Sequence, residues 1–225
     1  MTRATKEPQY NRCLALQEQY GLASLGLMTN LGWIDDPRHL VFVLSRYKFI
    51  AKMLSGKTSV LEVGCADAFG THLVLQEVPR VTAIDFDPIF IEDVRKRMPP
   101  YRQFETRVHD MLLGPVEGTF DGAYALDVIE HIPKANEETF IKNIARSLTP
   151  TGVAIIGSPS LDSQRYASEG SKEGHINCKT APELKAGLLK YFGNVFVFSM
   201  NDEVVHTGFY PMANYYLALC TNKLE

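Results

Sequence analysis

The sequence predicts an α/β protein: a doubly wound, mostly parallel seven-stranded sheet with helices on both faces, a C-terminal antiparallel hairpin and an N-terminal helical cap. Three observations carry this. From Val60 onward, short apolar runs rich in β-branched residues alternate with helical periodicity, which is the pattern of strand–helix–strand crossovers. Several of these runs lead into an acid, at Glu62, Asp85, Asp110 and Asp127, and ligands of open α/β sheets bind along the edge where strands end. The last two runs, 194–198 and 214–219, are joined by a segment too short for a crossover helix, so they should pair antiparallel.

Taken in order, residues 8–28 place Tyr10, Leu14, Leu16, Tyr20, Leu22 and Leu25 at loose helical spacing and predict one or two helices. Asp35-Asp36-Pro37 reads as a helix start with proline in the first turn. That helix runs through His39, Val41, Leu44, Tyr47, Ile50 and Leu54 and stops at Ser55-Gly56-Lys57. Residues 1–56 form the expected cap, and residues 57–225 the core, within one compact domain. Ser59-Val60-Leu61-Glu62-Val63-Gly64-Cys65-Ala66-Asp67-Ala68-Phe69-Gly70 then reads as strand, tight turn and helix, with small side chains that let the backbone approach a ligand. A second strand spans 81–85. Asp87-Pro88 opens a helix through Ile89, Ile91 and Val94 that ends at Pro99-Pro100, and a third strand covers 104–108.

The fourth strand, 120–126, delivers Asp127-Val128-Ile129-Glu130-His131-Ile132-Pro133 to the carboxyl edge. Asn136 and Glu137 lead into a helix carrying Phe140, Ile144 and Leu148, and Pro150-Thr151-Gly152 is expected to turn the chain into a fifth strand at 153–157. Residues 158–180 are rich in Ser, Gly and charge and read as a long loop, a length that in a compact domain is usually functional. Pro182 opens a further helix through Leu184, Leu188 and Leu189.

Composition narrows the function. The formal net charge is −3 over 225 residues, dispersed along the chain, so there is no electrostatic footprint for nucleic acid or an anionic membrane. Cys13, Cys65, Cys178 and Cys220 form no CxxC pair. With no signal-peptide pattern and no apolar run of membrane length, free thiols and a cytoplasmic location are expected. A dinucleotide fingerprint would need GxGxxG and tolerate a pyrophosphate at the turn; Glu62 beside Gly64 would repel that phosphate and suits a cationic, phosphate-free adenosine.

The pattern Glu62-x-Gly64-x-Ala66-x-Ala68, followed by Asp85, resembles the first two motifs of class I, Rossmann-like S-adenosylmethionine-dependent methyltransferases, in particular the type 11/type 23 and ubiquinone-biosynthesis-like groups. The likeness covers roughly residues 60–219. It departs at Ala66 and Ala68, where that family usually has glycine; alanine fits if φ is negative there and is strained if φ is positive. The resemblance implies S-adenosyl-L-methionine as cofactor and S-adenosyl-L-homocysteine as product. It implies a cofactor site built from Glu62, Gly64, Cys65, Ala66, Gly70, Asp85 at the ribose, Phe86, Asp110 at the adenine amino group, Met111 against the ring, and Asp127, with Arg46 (and Tyr47) reaching the methionine carboxylate.

Methyl transfer from a sulfonium needs alignment and, for an alcohol or amine, a base near neutral pKa. His131 is the expected base, and Glu130 would orient it or pair with substrate. Asp127, Glu130 and His131 at i, i+3 and i+4 also share one face of a helical turn. Some O-methyltransferases that the chain resembles, those of ubiquinone biosynthesis and those acting on small-RNA 3′ ends, use acids and histidine there for a divalent ion. The chain lacks a two-histidine spacing, so no metal is expected and Mg²⁺ is the disfavoured alternative. Tyr166, His175, Asn177, Asn201 and His206, in irregular segments at the same edge, make an acceptor pocket whose polar character suits a sugar, glycan precursor or other small polar metabolite. The expected activity is O-methylation, with small-molecule N-methylation or a non-catalytic cofactor-binding subunit as alternatives and a nicotinamide oxidoreductase disfavoured; the sequence leaves the oligomeric state open, with a homodimer as one option.

Overall fold

In the computed structural model, which describes residues 3–224, the eight strands are β1 (Ser59–Val63), β2 (Arg80–Asp85), β3 (Glu105–Val108), β4 (Phe120–Leu126), β5 (Leu148–Pro159), β6 (Phe192–Asn201), β7 (Val204–His206) and β8 (Tyr215–Lys223). They form one sheet in the order β3-β2-β1-β4-β5-β8-β6-β7. The first five run parallel, and β8 inserts antiparallel between β5 and β6. The expected seven strands are joined by an eighth, β7, which pairs with β6 in a tight hairpin. Its three residues are too few to show a period of two in the sequence.

The helices are α1 (Asn11–Tyr20), α2 (Leu27–Asp35), α3 (Arg38–Met53), α4 (Thr71–Val74), α5 (Pro88–Arg97), α6 (Glu137–Ser147), α7 (Glu169–Gly174) and α8 (Ala181–Leu188). Successive side chains of a strand point to opposite faces, and here both faces are covered. Leu61, Ala123, Ala125, Ala154 and Ile156 meet Phe140, Ile141 and Ile144 of α6 and Leu184 and Leu188 of α8. Val60, Val81, Tyr124, Leu126 and Ile155 meet Tyr47, Phe49 and Ile50 of α3, with Leu54 just beyond it. Central parallel strands are apolar throughout because they are buried on both sides.

Three sequence expectations are revised. The helix after the glycine turn is a single turn, α4, because β-branched Thr71 and Val74 and the nearby Pro79 leave no room for propagation. No helix long enough to supply a strong dipole therefore stands behind the turn. Pro150-Thr151-Gly152 lies inside β5 as an irregularity: Leu148 pairs with Phe120, and pairing resumes at Val153 with Gly122. The long segment 158–180 holds a 3₁₀ turn, Asp162–Tyr166, and α7. It is anchored by Ser160, whose hydroxyl donates to Ala213 and whose backbone bridges Lys179. Such anchors are long-range and leave no local periodicity to read.

Candidate functional site

The ends of β1, β2, β4 and β5 share one edge of the sheet, and antiparallel pairing of Tyr215 with Pro159 and Met200 brings the connection between β6 and β8 to that edge too. Glu62, near the tip of β1, is turned inward rather than toward solvent. It is fully buried and accepts hydrogen bonds from the hydroxyls of Tyr47 (2.8 Å) and Thr71. Burial pushes its carboxyl up to about 7, against the two hydrogen bonds and with Asp67 nearby. Glu62 and Tyr47, expected at the cofactor, instead bond each other and join α3 to β1.

The turn that follows is strained. Ala66 and Ala68 have φ of 44° and 51°, and Asp127, at the tip of β4, has 56°. Each left-handed non-glycine residue costs roughly 1–2 kcal/mol, and such outliers gather where a ligand is clamped. Asp85 holds the turn from below, its two oxygens accepting from the Ala66 and Asp87 amides at 2.9 Å each. Gly64 has φ of 69°, and a Cβ there would lie 2.4 Å from a Val128 methyl. Asp67 was not singled out from the sequence. It accepts from the Thr29 amide (2.6 Å) and hydroxyl (3.1 Å), and Arg97 donates to its carbonyl. Those bonds fasten α2 over the turn.

Asp127 is engaged by Arg46, 81 positions earlier, whose Nη1 donates to both carboxylate oxygens at 2.8 and 2.7 Å. The guanidinium lies 3.8 Å from the ring centroid of Tyr215, a stacking partner that no sequence signal marked. Arg46 Nε and the Tyr215 hydroxyl are buried without hydrogen-bond partners.

Beside this group, the 3₁₀ turn Ile129–His131 buries Glu130 completely. Neither of its oxygens has a donor, and burial, aided by the Asp127 charge, drives its carboxyl well above the ordinary range. His131 and His175 stand edge to face with ring centroids 5.1 Å apart. His131 Nδ1 lies 2.8 Å from the Gly174 carbonyl and His175 Nδ1 lies 2.9 Å from Gln164 Oε1. Gln164 Nε2 donates to the Ser160 carbonyl, which fixes the amide so that its oxygen faces the imidazole. Both Nδ1 atoms must therefore donate, which in a neutral imidazole leaves Nε2 as the acceptor. Burial, with His131 alongside, pushes the His175 imidazole below its usual value, which favours the neutral form. Chemically, the group can take a proton or hold a cation.

Other expected residues fall elsewhere. Asp110 caps its own turn by accepting from the Leu112 amide. Met111 is a buried core residue packed with Phe120 and Phe140, not an open ring partner, and its carbonyl accepts from Asn143. Cys65 is buried and Phe86 is 72% exposed. A Cβ on Gly70 would strike the Tyr47 ring at 2.2 Å, so that glycine serves packing. Asn177 is buried and donates to the Ile132 carbonyl and Glu137, while Asn201 and His206 bond each other across the β6–β7 hairpin. These three are spent on structure rather than turned to an acceptor. Tyr166 is exposed, under Arg165.

Residues 60–152 match the family described as methyltransferase domain. That match covers under half of the 225 residues and makes this stretch similar to a methyltransferase domain. A probable S-adenosylmethionine-dependent methyltransferase of Mycobacterium tuberculosis is 27% identical over 101 residues, 45% of this chain and 35% of that one. A counterpart in Mycolicibacterium smegmatis is 28% identical over 51% of this chain and 42% of its own. The matched part of the chain thus spans less than half the length of these curated relatives. Among solved structures, the N-methyltransferase NodS from Bradyrhizobium japonicum, in complex with S-adenosyl-L-homocysteine, superposes with TM-score 0.61 at 20% identity, covering 82% of this chain and 86% of that one. At that identity the likeness shows the fold. Among the described residues no helix is long and apolar enough to cross a membrane.

Proposed function

We propose that this protein is a methyltransferase that moves the sulfonium methyl of S-adenosylmethionine to a hydroxyl oxygen of a small acceptor at the carboxyl edge of the sheet. The observation that carries the reading is the convergence there of the strained Ala66–Ala68 turn and the Glu130–His131–His175 group, whose two Nε2 lone pairs can receive an acceptor proton. In the displacement, the acceptor oxygen forms the new bond to the methyl carbon while the sulfur keeps the electron pair of the bond that breaks. The hydroxyl proton passes to the His131 side of the site. Asp85 meets the ribose through the lone pairs its two amide donors leave free, Asp110 meets the adenine, and Arg46 meets the methionine carboxylate with the nitrogens that Asp127 does not occupy. The described residues of the expected cap, 3–56, are held over the turn by the Thr29–Asp67 bonds.

The test is incubation of the protein with S-adenosylmethionine and a panel of hydroxylated and amino metabolites, sugars included, read by mass for a gain of about 14 Da, the mass of a methylene. Transfer to hydroxyl compounds supports the reading, transfer to amines alone replaces it with N-methylation, and cofactor binding without any transfer leaves a binding subunit.

A further inference from the structure

We propose that Tyr215 is the positioning residue of Arg46: its ring holds the plane of the guanidinium so that one edge stays open for the carboxylate at the methionine end of the cofactor. The proposal deepens the methyl-transfer reading and rests on it for the identity of the ligand. Three elements converge on the contact, α3 carrying Arg46, the tip of β4 leading to Asp127, and β8 beginning at Tyr215. The guanidinium carbon lies over the Tyr215 ring, 3.8 Å from its centroid, well inside the roughly 6 Å over which a cation is drawn to an aromatic face. The Arg46 side chain is 18% exposed and Tyr215 2%, so water screens the contact little.

Asp127 alone does not fix the guanidinium. A single nitrogen, Nη1, donates to both of its oxygens, and a group fastened at one nitrogen can swing about that point, unlike one gripped along an edge by two parallel bonds. A ring stacked on the flat guanidinium restricts the swing. The ring is itself held firmly. Tyr215 pairs with Pro159 and Met200 across the sheet and belongs to the core cluster that contains Tyr47, Leu126 and Leu217. Gly157 supplies the room beside it, since a Cβ there would lie 2.6 Å from the Tyr215 hydroxyl oxygen. Arg46 Nε, by contrast, is buried without a partner, and an unpaired buried donor is costly. With Nη1 on Asp127, the edge formed by Nε and Nη2 is the fork that remains, and a fork of two parallel donors is what recognises a carboxylate. Tyr215 thus acts on the ligand through Arg46, from a strand at the far side of β5.

The experiment compares, by calorimetry, the binding of S-adenosylhomocysteine with that of decarboxylated S-adenosylhomocysteine, which keeps the adenosine, the sulfur and the amine but has no carboxylate. The wild type is expected to prefer the first by about tenfold or more, as hydrogen bonds to charged groups allow. Tyr215→Phe keeps that preference because the ring remains. Tyr215→Leu lowers S-adenosylhomocysteine affinity by about tenfold, within the range of a desolvated cation–ring contact, and leaves the decarboxylated ligand unchanged. Pentafluorophenylalanine at position 215 matches phenylalanine closely in shape but has the opposite ring quadrupole; it gives the same selective loss, and it decides if the leucine variant does not fold. Equal losses for both ligands mark a merely structural role and overturn the proposal. So does a loss in Tyr215→Phe as large as in Tyr215→Leu, or an unchanged preference in the leucine and pentafluorophenylalanine variants. A wild type that binds both ligands equally overturns it too while leaving the methyltransferase reading intact, whereas a wild type that binds neither overturns that reading itself.

Discussion

At the residue scale, Glu62 is the side chain whose environment departs most from what its place at a strand tip suggests. Its carboxyl is raised from an ordinary 4.5 to about 7 by burial. Between those values the folded protein keeps a proton that the unfolded chain releases, so stability falls as pH rises through the window and levels off above it. The full effect is on the order of 3 kcal/mol. Glu62→Gln, whose amide can accept from Tyr47 and donate to Thr71, should remove it. Urea unfolding of both proteins at pH 4.5, 6 and 8 checks this: the variant gains on the wild type as pH rises, and a constant difference would contradict a raised Glu62. Gly64 offers a steric counterpart. With φ of 69° and Val128 at 2.4 Å from an added Cβ, Gly64→Ala should lose about 2 kcal/mol or more. Ala68→Gly, which relieves a φ of 51°, should be neutral or stabilising by up to about 1 kcal/mol, since glycine gives back part of the gain as unfolded-state entropy.

At the element scale, α2 is the informative helix. None of its residues is buried, so packing does little to hold it. Its amino end is instead tied to the turn after β1 by Asp67, and the Leu27 amide reaches Asp93 at 3.4 Å. Capping bonds of this kind are worth about 1 kcal/mol, a large share of what holds a helix with no buried residue. Asp67→Ala should therefore speed hydrogen exchange of amides 29–35 by roughly fivefold or more while leaving α6, buried through Phe140, Ile141 and Ile144, unchanged; equal exchange in α2 would mean that other contacts dock it. The same contrast explains what the sequence disclosed. Elements stabilised by their own apolar period, such as α5, α6, β2 and β4, were legible almost to the residue. The shortness of α4, the irregularity in β5, the turn at 162–166 and the strand β7 depend on partners far along the chain. In the site, adjacent Glu130 and His131 were visible as a motif. Their partner His175 owes its orientation to Gln164 and Ser160, and the Arg46–Asp127 contact bridges 81 positions, so neither pairing had a local signal.

For the whole molecule, the sheet order places β1 and β4 side by side at its centre with β2 beyond β1, so the turn after β1 lies between the tips carrying Asp85 and Asp127. Asp85 then has two duties. It tethers Ala66 and Asp87 through one oxygen each, and on the proposed reading it meets the ribose of the cofactor. Asp85→Ala would confound them by releasing the turn. Asp85→Asn separates them, because the amide oxygen can still accept one backbone bond while the charge and the second acceptor are lost. The wild type should be stabilised by S-adenosylhomocysteine by about 2.7 kcal/mol at 100 times its dissociation constant, and by NAD not at all. In Asp85→Asn the S-adenosylhomocysteine affinity should fall by about tenfold or more, since hydrogen bonds to charged groups are worth about 1.5–3 kcal/mol. Ligand-free stability should fall by less than about 2 kcal/mol, the cost of one lost backbone acceptor. Thermal unfolding with and without each ligand reads both quantities. An unchanged affinity would move the ribose away from β2, and a stabilisation by NAD would show that the crevice accepts a dinucleotide's pyrophosphate.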